Sequence, residues 1–168
     1  MIGYSTLASL PRLREYTSHR ISSYDTMGGN EDAFQIKGGE KRALAEIDGP
    51  CCIKHIWMTL GVPKDDYLRR IVLRFFWDDC PEPSVECPIG DFFGIGHGLR
   101  RNFVSLPLQM SPQDGKGFNS WWPMPFKKKA TIEVENQGVE AYEHYFYIDY
   151  ERYESNDAVE GLAYFHVQ

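Results

Sequence analysis

Carboxylates set the chemical possibilities of this sequence. With 24 acidic residues in 168, supply decides nothing and surroundings decide everything. Three of them fall in the loop Ile21 to Asp32, ISSYDTMGGNED, and these, Asp25, Glu31 and Asp32, are the catalytic candidates. Carboxyl groups brought together can divide acid and base work, provided one keeps its proton and the other does not. The same loop has a structural reading, since Asp among Ser, Gly and Asn caps backbone N–H groups in turns. A second loop, Gly90 to Gly98, GDFFGIGHG, offers Asp91 and His97 beside two Phe rings. That mixture suits a hydroxyl-rich ligand, with polar groups on its edge and a ring on its face, although Asp91 could serve only to fix the loop. Trp121 and Trp122 form a further stacking candidate, or else a subunit contact. Glu133 and Glu135, two apart on an alternating segment, put their Cβ atoms about 7 Å apart on one strand face, which an exposed decorated strand explains equally well.

The remaining chemistry is excluded more simply. A net charge of −6 and a pI near 5.4 leave no broad basic surface for phosphates, so nucleic acid is not an expected partner. Lys127-Lys128-Lys129 reads as a solvated loop entering a strand. Cys51, Cys52, Cys80 and Cys87 match no zinc spacing and read as reduced thiols, with a Cys80–Cys87 bridge left open. None of the five histidines sits in a nucleophile motif, and the acidic loop lacks the EF-hand spacing. No glycine fingerprint opens a helix after a strand. No metal or cofactor is therefore expected. Met1 to Arg20 has no unbroken apolar core, and no apolar stretch nears the roughly 18 residues of a membrane span, which gives a cytoplasmic expectation with no membrane partner.

The elements that must position these residues are strands. Ten Tyr, ten Phe and four Trp favour sheets. Leu7, Leu10 and Leu13 recur at helical spacing and predict one short helix within Leu7 to Tyr16, in an N-terminal arm of residues 1–20. Alternation or extended texture then predicts strands over Arg42 to Ile47, Cys52 to Leu60, Leu68 to Trp77, Val85 to Ile89, Phe103 to Leu108, Asn119 to Pro123, Ala130 to Asn136 and His144 to Tyr153. Gly38-Gly39, Asp48-Gly49-Pro50 and Gln137-Gly138 supply turns. In the second strand Ile53, His55, Trp57 and Thr59 share one side, and His55 and Trp57 read as core. About eight short strands predict one all-β domain over 1–168, a single antiparallel jelly-roll sandwich.

Six runs occur in an order that resembles a known family: RISSYDTMGGNEDAF, IDGPCCIKHIWMTL, VLRFFWDD, PSVECPIGDFFGIGHG, WWPMPFKKKATIEVENQG and YFYIDYE. Together, over Ser22 to Gln168, they look like the N-terminal half of glycoside hydrolase family 172, formerly domain of unknown function 2961. The resemblance implies a jelly roll, trimers or hexamers of the chain with itself, a likeness to double-jelly-roll capsid proteins, and chemistry at fructofuranosyl or arabinofuranosyl linkages. It also implies that the catalytic glutamates belong to a second jelly roll, that residues 160–168 open that second roll or serve as an assembly tail, and that the Asp25 loop reaches a neighbouring subunit's pocket. Two functions follow: a furanoside-related assembly, or a non-catalytic capsid-like scaffold.

Overall fold

The computed structural model describes residues 11, 13–62 and 66–168. Among the described residues, twelve strands form two antiparallel sheets: β1 (Thr17–Ser22), β2 (Phe34–Ile36), β3 (Lys41–Asp48), β4 (Cys51–Gly61), β5 (Ile71–Trp77), β6 (Val85–Pro88), β7 (Phe103–Val104), β8 (Leu108–Met110), β9 (Phe118–Ser120), β10 (Met124–Phe126), β11 (Lys129–Asn136) and β12 (Tyr142–Arg152). The larger sheet runs β1, β12, β4, β9, β8, β7, with β2 continuing the β1 edge along β12 and β10 continuing the β9 edge along β4. The smaller sheet runs β3, β11, β5, β6. Counting β1 with β2 and β9 with β10 as single broken strands, and setting aside the β7–β8 hairpin, the first main strand neighbours the eighth, the second the seventh, the third the sixth and the fourth the fifth. That nesting is the jelly roll.

Alternation explains the core. Ala130, Ile132 and Val134 of β11 and Leu73, Phe75 and Trp77 of β5 point inward from the smaller sheet. They meet Ile53, Ile56 and Met58 of β4, Phe146 and Ile148 of β12, and Phe118, Met124 and Phe126. Edge-to-face and stacked rings, such as Phe75–Trp77 at 6.0 Å and Trp77–Phe126 at 5.9 Å, fill the interior. Each fully buried Phe of this kind contributes about 2–3 kcal/mol. Turns follow the glycines: Gly39 sits at φ +74°, and a Cβ on Gly38 would lie 2.4 Å from the Val139 carbonyl oxygen.

Four expectations are corrected. Leu68 to Arg70 is not strand, because Tyr67–Arg70 forms a helical turn, α1, held by Arg69 N–H on the Asp66 carbonyl, before β5 begins. The Gly90 loop likewise opens with a turn, α2 (Ile89–Phe92). Of the predicted N-terminal helix, Leu7 and Leu10 lie outside the described residues, while Leu13 to Tyr16 is irregular and Thr17 onward is β1. On β4, Ile53 does point into the core, but His55 and Trp57 do not: they are part-exposed on the outer face. A bulge is the cause, since Asp149 opposes His55 and the next residue, Tyr150, opposes Ile53, leaving Lys54 unpaired and reversing the inside–outside parity.

The end of the chain packs on its own sandwich. Val167 bridges β6 in parallel, bonding Glu86 N–H at 2.9 Å and the Ser84 carbonyl at 3.0 Å, and Phe165 accepts from Trp77 Nε1 at 2.8 Å. All four cysteines are free. Cys51 and Cys52 point to opposite sides of β4, and burial pushes the thiols of Cys51, Cys52 and Cys87 up to about 11, 12 and 11. Cys80 alone is exposed. A thiol reagent at pH 8 should therefore titrate one cysteine at once and the other three only on denaturation; two or more fast thiols would contradict this packing.

Candidate functional site

The outer face of the larger sheet carries a connected set of chemistry-bearing side chains. Strand register builds it. Arg20 of β1 opposes Asp149 of β12, which opposes His55 of β4; two residues along, Ser22 opposes Tyr147, which opposes Trp57, which opposes Asn119 of β9. Two rows of outward side chains thus lie side by side, one crossing three strands and the other four. Within them Arg20 Nε and Nη2 donate to the two Asp149 oxygens at 2.6 and 3.0 Å, a bidentate pair. His55 Nδ1 lies 3.1 Å from Asp149 Oδ2, and its Nε2 lies 3.1 Å from the Asn119 amide. Burial alone would push the Asp149 carboxyl up, but the bonds from Arg20 and His55 outweigh it and hold the group below its usual range, ionised.

Aromatic rings are stacked onto this polar chain. Trp121 lies on His55 with centroids 5.2 Å apart and planes 16° from parallel. Trp57 stacks on Tyr147 at 4.7 Å, and the Arg20 guanidinium sits 4.5 Å over the same Tyr147 ring. Trp121 remains 41% exposed and Tyr147 38%. Beside this face, Glu151 and Tyr153 line a cleft of about 590 Å³ with Arg14 and Tyr16. Glu151 accepts from the Tyr153 hydroxyl at 2.6 Å and pairs with Lys54 at 3.7 Å.

The sequence candidates occupy several places. Asp25 accepts from the Met27 and Glu31 N–H groups at 2.8 and 3.4 Å, and those bonds hold its carboxyl below the usual range. Asp32 closes the same turn by accepting from Asp25 N–H at 2.8 Å, while the Glu31 side chain is exposed. Asp91 pairs with Arg69, which also donates to the Gly96 carbonyl at 3.2 Å, so this carboxylate ties its loop to α1. His97 is exposed on that loop. The two tryptophans diverge: Trp121 joins His55 on the outer face, whereas Trp122 packs on Phe165 of the terminal segment, 6.0 Å between centroids. Glu135 belongs to the other sheet, where Arg74 bridges it at 2.6 Å to Glu86 at 2.8 Å. Only Trp121 of these candidates therefore reaches the outer-face cluster. Arg20, Asp149, Asn119 and Tyr147 were not among them, although the run YFYIDYE already placed Tyr147 and Asp149 on one side of a strand.

Residues 14–164 fit a family model described as GH172 first beta-sandwich domain. No curated protein matches the chain.

Proposed function

The chain belongs to glycoside hydrolase family 172, as its first β-sandwich domain, and on that premise we propose that it assembles with copies of itself, as trimers or hexamers, into a furanoside-related particle. The observation that carries the assembly is the open rim of the larger sheet. There β7 pairs with β8 on one side only, and Val104 and Leu106, at 73% and 95% exposure, stand beside that edge with the exposed Leu99. An unpaired edge flanked by apolar side chains is the kind of surface that proteins cover with a partner. A second copy supplies one by symmetry. Leu106→Asp combined with Val104→Asp should drop the particle to the 19.4 kDa monomer in sedimentation, with an unchanged circular dichroism spectrum. An unaltered particle mass in the folded double variant refutes this rim as the contact.

A second reading, a capsid-like scaffold without turnover of its own, is favoured by the carboxylates. Glycoside cleavage needs one carboxyl that keeps its proton at working pH. Among the candidates, Asp25 is held below its ordinary range by the Met27 and Glu31 N–H groups, which makes it a charged acceptor and not the proton donor. Release of aryl from an aryl α-arabinofuranoside by the purified protein separates the readings: turnover lost on Asp25→Ala or Glu31→Ala supports the hydrolase, and inert regular particles support the scaffold.

A further inference from the structure

Resting on the carbohydrate reading above, we propose that the outer face of the larger sheet binds a short neutral furanoside, one ring stacked on Trp121 and its hydroxyls held by the chain Arg20, Asp149, His55 and Asn119. Three observations carry it. Trp121 is both fixed and available: His55 covers it in a near-parallel stack, yet 41% of the residue stays exposed. Flat, immobilised rings with an open side are what the apolar face of a sugar requires.

Next, the polar groups are already oriented before any ligand arrives. Asp149 is locked by Arg20 on one side and His55 on the other, and His55 is locked in turn by Asn119. Arg20 spends Nε and one Nη on Asp149 and keeps further N–H groups, 53% of its side chain being exposed. Sugar hydroxyls both donate and accept, so a row that presents an ionised carboxylate beside guanidinium and amide donors matches them. Little ordering entropy is left to lose on binding.

Third, the charge balance selects the ligand. Arg20 and Asp149 form an ion pair, so the patch is not dominated by charge of one sign, as a site for a phosphate or a metal cation would be. The centre of the patch is charged and hydrogen-bonded, whereas the centres of protein interfaces are depleted of charge. Tyr147, clamped between Trp57 and Arg20 and 38% exposed, offers a second ring next to the first. From β1 to β9 the row spans roughly 14 Å at the spacing of strands in a sheet, room for about two sugar rings.

The test uses the assembled 168-residue chain, titrated with methyl α-arabinofuranoside and with a fructofuranosyl disaccharide, read by tryptophan fluorescence and calorimetry. Wild type is compared with Trp121→Ala, Asp149→Asn and, on the outer face of the smaller sheet, Thr131→Ala. Trp121→Ala is expected to weaken binding roughly tenfold or more and Asp149→Asn roughly fivefold, with Thr131→Ala within about twofold of wild type. Melting curves confirm folding, and Asp149→Asn stands in should Trp121→Ala not fold. Furanoside binding that neither variant weakens overturns this site while leaving the carbohydrate reading intact. Wild type that binds neither sugar overturns both. A particle that falls apart on Trp121→Ala assigns the face to a sister copy and overturns the proposal.

Discussion

Asp78→Ala is expected to destabilise the sandwich by about 3 kcal/mol, the cost of stranding several charge-assisted bonds together. One carboxylate accepts from the backbone N–H groups of Lys127, Lys128 and Lys129 at 3.1, 2.7 and 3.2 Å and from the Tyr164 hydroxyl. It thereby ties together the entry to β11, the turn after β5 and the terminal segment. The residue adopts φ +52°, which Asp and Asn tolerate better than alanine, so the truncation also strains the turn. Burial by itself would push the Asp78 carboxyl up, but the Tyr164 and backbone donors outweigh it and leave the group below its ordinary value. The folded state therefore holds the ionised form more tightly than the unfolded chain does. That stability is present above the unfolded value near 3.9 and is lost as pH falls through the lower folded value. For a domain of this length the variant should melt roughly 6–12 °C lower at pH 7. Asp78→Asn should recover part of that loss, because its amide oxygen still accepts. A melting point within about 2 °C of wild type for Asp78→Ala would refute the anchoring role.

The second large effect is acid lability from His144. Its side chain is fully buried on the inner face of β12, with Nδ1 3.0 Å from the Tyr142 hydroxyl and the Phe146 ring at 5.9 Å. Nε2 has no partner among the described residues. Burial pushes this imidazole down to about 3, far below the ordinary 6.5. Between those two values the unfolded chain takes up a proton that the folded one refuses, so stability falls as pH falls from 6.5 towards 3. The slope is roughly 1 kcal/mol per pH unit. Between pH 6.5 and about 5.5 the carboxylates, whose ordinary values lie near 4, stay almost fully ionised, and there the slope belongs to histidine. Urea midpoints measured at half-unit steps should decline across that window, and His144→Leu should flatten the decline. A slope that persists unchanged in the leucine variant would contradict the assignment.

Strand pairing was the information the sequence held back. The alternation in ATIEVEN places Ile132 and Val134 inside correctly, and YFYIDYE places Tyr147 and Asp149 on the side away from Phe146 and Ile148, because β12 and β11 keep period two over most of their length. What joins Asp149 to His55, Arg20 and Asn119 is register across four strands, a property of distant segments. Two local features hid it. The bulge at Lys54 reverses parity within β4, so a reading that continues from the buried Ile53 carries His55 and Trp57 into the core. Strand β1, TSHRIS, is polar and exposed over four of its six residues and has no alternation to announce it. Its partner β12 makes it a strand, and Arg20 was invisible as a site residue for that reason. The Asp25 loop, in contrast, was legible as a turn from its Ser, Gly and Asn content alone, and the carboxylate does cap N–H groups there.

The cover proposed for the open rim of the jelly roll is a second copy of the chain, and the mass of the species in solution tests that most directly. Mass photometry and sedimentation velocity at micromolar concentration should give three or six times the 19.4 kDa chain mass, with no appreciable monomer. A single species at the monomer mass, folded and stable with Val104 and Leu106 facing water, would contradict it.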